Sequence, residues 1–267
     1  MPERPDGSLV MVAHGSADPR AAAVITDLMA VAAERAAARG LDLPEVRTAY
    51  LGHAAPSLPQ VMGAIGRTGY GRVTVLPLLL TAAYHSKTDI PRVLAREFSR
   101  LPVSYGATLG PHPLLLSALE RRLAEADPLG PAGLAGLAAA ARRARTGVVL
   151  AAAGSTDPEA NATIASLAAQ WQARAGWFAV RPASAASESA GALTPAEAVT
   201  GLLRAGADRV LVATYLLAPG LFADRIRVSA LAAGAAAVSP ALGALPEVAE
   251  VILDRYQEAA TLRRRAA

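Results

Sequence analysis

Two histidines follow apolar segments in the first half of the chain. His14 comes directly after the run Ser8–Ala13 (SLVMVA), and His85 follows residues 73–80 (VTVLPLLL) after a short link. Runs rich in Val and Leu are typical of strands buried in a parallel sheet, and open α/β sheets bind ligands beyond the carboxyl ends of their strands. We therefore expect both imidazoles at one sheet edge, where they ligate a divalent transition metal or one acts as a general base.

The residues around these histidines indicate the kind of ligand. Gly15, Ala82 and Ala83 leave room for a bulky, flat ligand close to the backbone. The N-terminus of the helix expected after Ser16 favours an anion such as a carboxylate. Polar contacts are expected from four neighbouring side chains: Ser16, Tyr84, Ser86 and Lys87.

The elements that must position these residues alternate between strand and helix, which predicts parallel sheets with right-handed crossovers. Pro91 fits the first turn of the third helix, with Asp89 as its N-cap after a polar turn. In the first part of the chain, strands are expected over residues 8–13, 45–51, 73–80 and 103–107, and helices over 21–39, 58–68, 92–100 and 114–126.

The second part of the chain repeats this pattern. Four pairs of blocks match in the same order, and they begin at Gly15 and Gly154, Val73 and Val210, Asp89 and Asp224, and Leu109 and Leu242. An ordered set of this kind indicates an internal duplication. The predicted fold is α/β, with two tandem Rossmann-like domains, each a small parallel sheet flanked by helices. The expected domains are residues 1–127 and 146–267, joined by a Pro- and Gly-rich linker over 128–145.

The two copies differ in their histidines. All four histidines of the chain lie in the first copy, and Ala153 stands opposite His14. Phe222 stands opposite His85, while the residues around 187–191 stand opposite His53. Because glycines, prolines and aspartates of turns and caps occur in both copies, we expect the chemistry in the first and an architectural or lid role for the second.

The composition narrows the class of protein. The chain has no cysteine, so it has no thiolate chemistry, and no apolar stretch approaches the ~20 residues of a membrane span. Its first residues lack the apolar segment of a signal peptide, so we expect a cytoplasmic protein without a membrane partner. The net charge of +4 suits an anionic small molecule. Since the basic clusters lack interleaved aromatic residues, no nucleic acid partner is expected. We expect a monomer, through the duplication, or a weak dimer.

Four motifs of the first copy carry a resemblance to a known family. They are HGSADPR at 14–20, YL and PSL within 50–58, the His85 segment ending in DIP at 89–91, and LGPHPLL at 109–115. Because these motifs occur in this order and at this spacing, the chain resembles the class II tetrapyrrole chelatases, specifically the sirohydrochlorin chelatases of the cobalamin and siroheme pathways. The first copy matches throughout, and the other copy resembles the degenerate half of longer members.

The resemblance implies ATP-independent insertion of a divalent metal, with no nucleotide cofactor. The metal would be Fe²⁺ or Co²⁺, with Ni²⁺ as a further option, since imidazole ligands suit several first-row metals. The implied substrate is an anionic tetrapyrrole, sirohydrochlorin or a precorrin-2-like macrocycle. His14 and His85 are the implied metal ligands and catalytic residues.

The macrocycle carries several carboxylates, for which the chain offers cationic residues. Arg20, Lys87 and Arg92 flank the two histidine motifs, and arginine binds carboxylates in a bidentate way. Many relatives have an acidic residue before the Pro-Ser pair, where this chain has Gly52 and His53. His53 is therefore expected either to replace that residue at the substrate or to serve only its loop.

Two other functions remain open from the sequence. A carrier that binds a metal or a tetrapyrrole without catalysis needs the same ligands, and turnover of metal into free macrocycle separates it from an enzyme. A phosphoryl-transfer enzyme of the histidine-phosphatase type needs a cationic neighbour beside its nucleophile, whereas Ala13 precedes His14. The chain also lacks the GxxxxGK[ST] motif of phosphate-binding loops, so the chelatase is the favoured interpretation.

Overall fold

The structure, a computed structural model, describes residues 7–68, 72–98, 101–130, 139–186 and 191–266. Over these residues the chain forms two parallel four-stranded sheets. The first has the order β2-β1-β3-β4, with β1 (Ser8–Ala13), β2 (Glu45–Tyr50), β3 (Val73–Pro77) and β4 (Val103–Tyr105). The second has the order β6-β5-β7-β8, with β5 (Thr146–Ala152), β6 (Ala179–Ser184), β7 (Arg209–Tyr215) and β8 (Ala237–Val238). The equal strand orders confirm the predicted duplicated α/β fold.

Helices connect the strands in the expected alternation. The first part contains α1 (Pro19–Ala38), α2 (Leu58–Thr68), a π-helical turn (His85–Asp89), α3 (Ile90–Glu97) and α4 (Pro113–Ala126). The second part contains α5 (Ala139–Arg143), α6 (Pro158–Ala175), α7 (Pro195–Arg204), α8 (Leu221–Ala232) and α9 (Pro246–Ala266). None of the described helices is both long and apolar enough to cross a membrane.

The first sheet is buried by apolar residues on its central strands. Every residue of β1 is buried, as expected for a parallel strand that helices cover on both faces. Met62 and Ile65 of α2 pack with Ile90 and Leu94 of α3 in the core cluster of this sheet. The sheet therefore gives a rigid base to the segments that follow β1 and β3.

The compact units of the structure are not linear halves of the chain. One unit comprises Met1–Leu114 and Ala244–Ala267, and the other comprises Leu115–Gly243. The first unit thus includes α9 from the second repeat, whereas most of α4 belongs to the second unit. The domains predicted from the sequence, residues 1–127 and 146–267, follow the two repeats and not these compact units. Those domain bounds remain a proposal. Residues 131–138 of the predicted linker lie outside the described residues.

Polar contacts hold α9 within the first unit. The Arg255 guanidinium donates a hydrogen bond to the backbone carbonyl of Thr108 at 2.7 Å. Glu250 of α9 forms ion pairs with Arg35 of α1 and with Arg39, the C-cap residue of that helix. These contacts explain why this helix belongs to the first unit although it ends the second repeat.

Some predicted element bounds around the third strand are wrong. The strand ends at Pro77 instead of residue 80, because proline lacks the N–H that would continue the ladder. Beyond it, the Leu79 carbonyl accepts a hydrogen bond from the Leu109 N–H at 2.9 Å. The following helix starts at Ile90 and not at residue 92, because it continues the preceding π-helical turn.

Candidate metal-transfer site

His14 and His85 meet at the carboxyl edge of the first sheet. His14 directly follows β1, and His85 begins the π-helical turn beyond β3. The centroids of the two rings lie 4.7 Å apart, with an angle of 83° between the ring planes. His14 is exposed and the His85 side chain is 42% exposed, so solutes can reach both rings. The structure thus brings the two predicted residues close enough for one small ion to contact both.

A close backbone contact holds His14 in place. Gly15 has a φ of +87°, and a Cβ at this position would lie 1.7 Å from the carbonyl oxygen of Gly52. The Gly52 N–H also donates to the His14 carbonyl oxygen at 3.1 Å. Because only glycine allows this approach and this backbone conformation, the residue after His14 must lack a side chain.

The segment that carries His85 is a π-helical turn and not the predicted polar turn. The Ile90 N–H donates to the His85 carbonyl oxygen, five residues back. Since this turn runs directly into α3, Asp89 already has helical backbone angles (φ −66°, ψ −53°) and makes no capping hydrogen bond. The predicted N-cap role of Asp89 is therefore wrong. Turns of this kind are rare and occur frequently at functional sites.

The Asp89 carboxylate contacts His85 instead. Asp89 Oδ2 lies 2.6 Å from His85 Nδ1, and an ionised carboxylate only accepts hydrogen bonds, so Nδ1 carries the hydrogen. His14 Nδ1 lies 3.1 Å from the carbonyl oxygen of Gly15, which also only accepts. Each neutral imidazole therefore keeps the lone pair of its Nε2 available. A carboxylate behind a histidine ligand orients the ring and raises its basicity.

This contact leads to a prediction for Asp89. Replacing Asp89 with alanine should weaken Co²⁺ binding by about 10- to 100-fold, the usual effect of losing a carboxylate behind a histidine ligand. The free energy of unfolding should change little, because Asp89 makes no capping hydrogen bond. Titration with Co²⁺ followed by absorption measures the affinity. Asp224→Ala at the matching position of the second repeat is the control, and equal affinities in the two variants would contradict the role of Asp89.

Of the predicted substrate residues after His14, Ser16 lies in the turn before α1 and Arg20 lies in the first turn of that helix. Ser16 Oγ accepts a hydrogen bond from the Asp18 N–H at 3.1 Å, and Ser155 Oγ accepts one from the Asp157 N–H at 3.0 Å. The Arg20 guanidinium bonds to the Asp18 carboxylate at 2.6 Å and lowers the pKa of that carboxyl. Asp18 also caps α1, which overturns the expectation that a substrate anion binds this helix end. Substrate contacts by Ser16 and Arg20 remain predictions.

The other predicted substrate residues lie at the surface. Tyr84 is 55% exposed, and its ring centroid lies 6.1 Å from that of His85. Lys87 on the π-helical turn and Arg92 on α3 are exposed. His53 is exposed and has a left-handed backbone conformation (φ +58°) in the loop after β2. Their roles toward a substrate remain predictions.

The residues that support His85 were not found from the sequence. The separation of four residues between His85 and Asp89 was the available signal, because it places two side chains on one face of a helix. Tyr105, whose hydroxyl donates to the Ser86 carbonyl at 2.8 Å, offers no local signal at a separation of 19 residues. Within the described ranges, no three His, Cys, Asp or Glu side chains are grouped to hold a metal, so His53 does not complete a three-ligand cluster.

The second repeat keeps the backbone of this region without its histidines. Gly154 has a φ of +88°, close to the +87° of Gly15. Ala153 takes the place of His14, and Phe222, which is 38% exposed, lies in the first turn of α8. In the part of the second repeat that the structure describes, no π-helical turn precedes α8. Residues 187–190, part of the segment opposite His53, lie outside the described residues.

Comparisons with known proteins agree with both the repeats and the fold. The sequence model of the family CbiX matches residues 8–126 and 147–259. A sirohydrochlorin ferrochelatase of Priestia megaterium is 26% identical over 192 residues, which is 71% of this chain and 66% of that protein. A sirohydrochlorin cobaltochelatase of the same species is 25% identical over 186 residues, which is 68% of this chain and 56% of that protein.

A solved structure shows the same architecture. SirB from Bacillus subtilis with Fe³⁺ has a TM-score of 0.76 and 23% sequence identity, with 96% of each chain covered. At this identity the likeness concerns the fold. The matched regions span between about half and two thirds of the two Priestia proteins.

Proposed function

Since the chain belongs to the CbiX family, whose sequence model matches both repeats, we propose that it inserts a divalent metal ion into sirohydrochlorin or a closely related carboxylate-bearing tetrapyrrole. The observation that carries the proposal is the pair of imidazoles from His14 and His85, 4.7 Å apart, with both Nδ1 atoms already engaged. Two Nε2 lone pairs at one exposed sheet edge suit a metal ion that must be delivered and not retained.

The metal is a substrate in this proposal, and a two-histidine site fits that role. A structural metal site usually closes around its ion with four protein ligands. Two imidazoles leave the other coordination positions open, so the pyrrole nitrogens of the macrocycle can replace the histidines one at a time. The exposure of both rings gives a large planar substrate access to the ion.

The same two histidines can also balance the protons of the reaction. Insertion of one divalent metal displaces two protons from the pyrrole N–H groups. After the metal has moved into the macrocycle, the Nε2 atoms of His14 and His85 are free to accept these protons. The Asp89 carboxylate, 2.6 Å from Nδ1, keeps the His85 ring oriented at that stage.

The central test is an insertion assay with purified full-length protein. Sirohydrochlorin is mixed under anaerobic conditions with Fe²⁺, Co²⁺ or Ni²⁺, without ATP, and insertion is followed by the absorption of the macrocycle. Multiple turnovers per chain are expected with iron or cobalt. A single equivalent of product would indicate a carrier, and a rate equal to that without protein would refute the proposal. Preference for iron would favour a role in siroheme synthesis, and preference for cobalt one in cobalamin synthesis.

We further propose that Lys87 and Arg92 hold the carboxylates of the macrocycle. Both are exposed on the segment that carries His85. Replacing either with alanine should raise KM several-fold with a smaller effect on kcat, because the lost contact exists in the bound ground state. The effect should shrink at high salt, which screens exposed charges. Arg227→Ala at the position matching Arg92 is the control, and an unchanged KM in both test variants would contradict this assignment.

The second repeat has a supporting role in this proposal, as scaffold or lid. It keeps the turn built by Gly154 and Asp157 but has Ala153 and Phe222 where the first repeat has histidines. The cytoplasmic location and the monomeric or weakly dimeric state expected from the sequence remain predictions.

A further inference from the structure

One carbonyl group in the turn that carries His85 has lost its helical donors. The Ser86 carbonyl oxygen would accept from Ile90 in an α-helix, but the Ile90 N–H donates to His85 instead. In a π-helix the donor would be residue 91, which is a proline and has no N–H. A carbonyl without such a partner loosens the turn unless another group donates to it.

The hydroxyl of Tyr105 supplies that donor. Tyr105 Oη lies 2.8 Å from the Ser86 carbonyl oxygen. The residue is the last of β4, where it pairs in register with Val75 of β3. The bond therefore ties the π-helical turn directly to the sheet. Although 36% of the residue is exposed, desolvation raises the pKa of Tyr105 to about 12, and the hydroxyl is a donor at neutral pH.

The second repeat has neither the tyrosine nor the proline of this arrangement. Val212 and Val238 pair in the second sheet as Val75 and Tyr105 do in the first, so a valine stands in place of the tyrosine. Ile226, which has an N–H, stands in place of Pro91 when Asp224 is matched with Asp89. The proline, the tyrosine and the histidine are thus present together in one repeat and absent together from the other.

We propose that Tyr105 is a positioning residue that holds the π-helical turn so that His85 faces His14. The role of Tyr105 in catalysis rests on the proposed function. Its effect on the orientation of the His85 ring can be measured without metal. Tyr105 acts through the Ser86 carbonyl and the turn, and it makes no contact with the metal in this proposal. Without its hydroxyl, the His85 ring should sample several orientations and lose its bond to Asp89.

The first experiment measures His85 directly in the metal-free protein. The chain has four histidines, so a sample labelled with ¹⁵N-histidine gives four sets of imidazole signals, and His85→Gln identifies that of His85. In the Tyr105→Phe variant, the His85 signal should broaden or shift away from the Nδ1–H tautomer, while the signal of His112 stays unchanged. An unchanged His85 signal would overturn the proposal. Tyr256→Phe, which removes a hydroxyl from α9 of the same unit, is the control.

The second experiment measures the consequence for metal transfer. Co²⁺ binding to the Tyr105→Phe variant should weaken about tenfold, as expected for the loss of one hydrogen bond that preorganises a ligand. The KM for the macrocycle should not change, because Tyr105 does not contact it. An unchanged Co²⁺ affinity would contradict the positioning role. If the unaltered protein inserts no metal but the His85 signal responds to Tyr105→Phe, the proposed function fails and the positioning role stands.

A rescue variant separates positioning from general stability. Pro91→Ala restores an N–H at the residue that would donate to the Ser86 carbonyl in a π-helix. Combined with Tyr105→Phe, it should recover most of the His85 signal and of the Co²⁺ affinity. If Tyr105→Phe alone does not fold, the double variant serves as the test, and its failure to restore the native tautomer of His85 would overturn the proposal.

Discussion

Replacing His14 or His85 with alanine should reduce the rate of metal insertion by more than about 100-fold. This exceeds the usual effect of losing only a residue that hydrogen-bonds to a metal ligand. Each imidazole supplies one of the two open Nε2 atoms, and a single histidine binds a divalent metal weakly. The fold should survive, because His14 is exposed and the His85 side chain is 42% exposed. The initial rate of insertion and the Kd for Co²⁺ measure the effect. Circular dichroism and thermal unfolding establish that the fold is retained.

His112 provides the matched control for these two variants. Its Nδ1 accepts a hydrogen bond from the Leu114 N–H, and burial lowers its pKa, so it is a neutral histidine used within the fold. His112→Asn keeps an acceptor for that N–H and should insert metal at a near-normal rate. If His14→Ala or His85→Ala retained the activity of this control, the residue in question would not be a metal ligand. Similar losses in all three variants would show an effect on folding and not on metal transfer.

Replacing Gly15 with alanine should be the most damaging single change to the fold near the site. The backbone at φ +87° costs about 1–3 kcal/mol for a residue with a side chain. The new Cβ would also lie 1.7 Å from the Gly52 carbonyl oxygen, and relieving such overlap typically costs a further ~1–3 kcal/mol. The free energy of unfolding should therefore fall by about 3 kcal/mol or more. Metal insertion should fall as well, because His14 moves with the displaced loop.

Gly40→Ala separates the two contributions in the same experiment. Gly40 also has a left-handed backbone, with φ +61°, but nothing lies within 4 Å of a Cβ at that position. Its replacement should lower the free energy of unfolding only by the cost of a left-handed backbone for a residue with a side chain, about 1–2 kcal/mol. Metal insertion should be unchanged. Urea unfolding of the two variants gives the comparison. Equal losses of stability would mean that the contact between Gly15 and the Gly52 carbonyl does not constrain the loop.

The duplication explains which features of the site belong to folding and which to chemistry. Ser16 and Asp18 recur as Ser155 and Asp157 with the same hydrogen bond. Their role in forming the turn is therefore enough to explain why both repeats have them. His85 has no counterpart in the repeat that keeps those residues. A comparison within one chain therefore separates scaffold from site without any other protein.

The sequence by itself determined the fold class and the pairing of the two histidines. Apolar runs such as Ser8–Ala13 and the glycine and proline turns that follow them are local signals, and β1 begins and ends at the predicted residues. Because parallel strands present their carboxyl ends at one edge, the positions of His14 and His85 along the chain were enough to bring them together. The same local signals, present twice, indicated the duplication.

Only the tertiary structure decided how His85 is held and which helix covers the first sheet. The His85 imidazole contacts Asp89 on the same π-helical turn, and the Ser86 carbonyl of that turn accepts from the hydroxyl of Tyr105, which comes from a different strand. The membership of α9 in the first unit depends on contacts such as that between Arg255 and Thr108, 147 residues apart. These features arise from hydrogen bonds between distant parts of the chain, and residue periodicity reports only the local backbone.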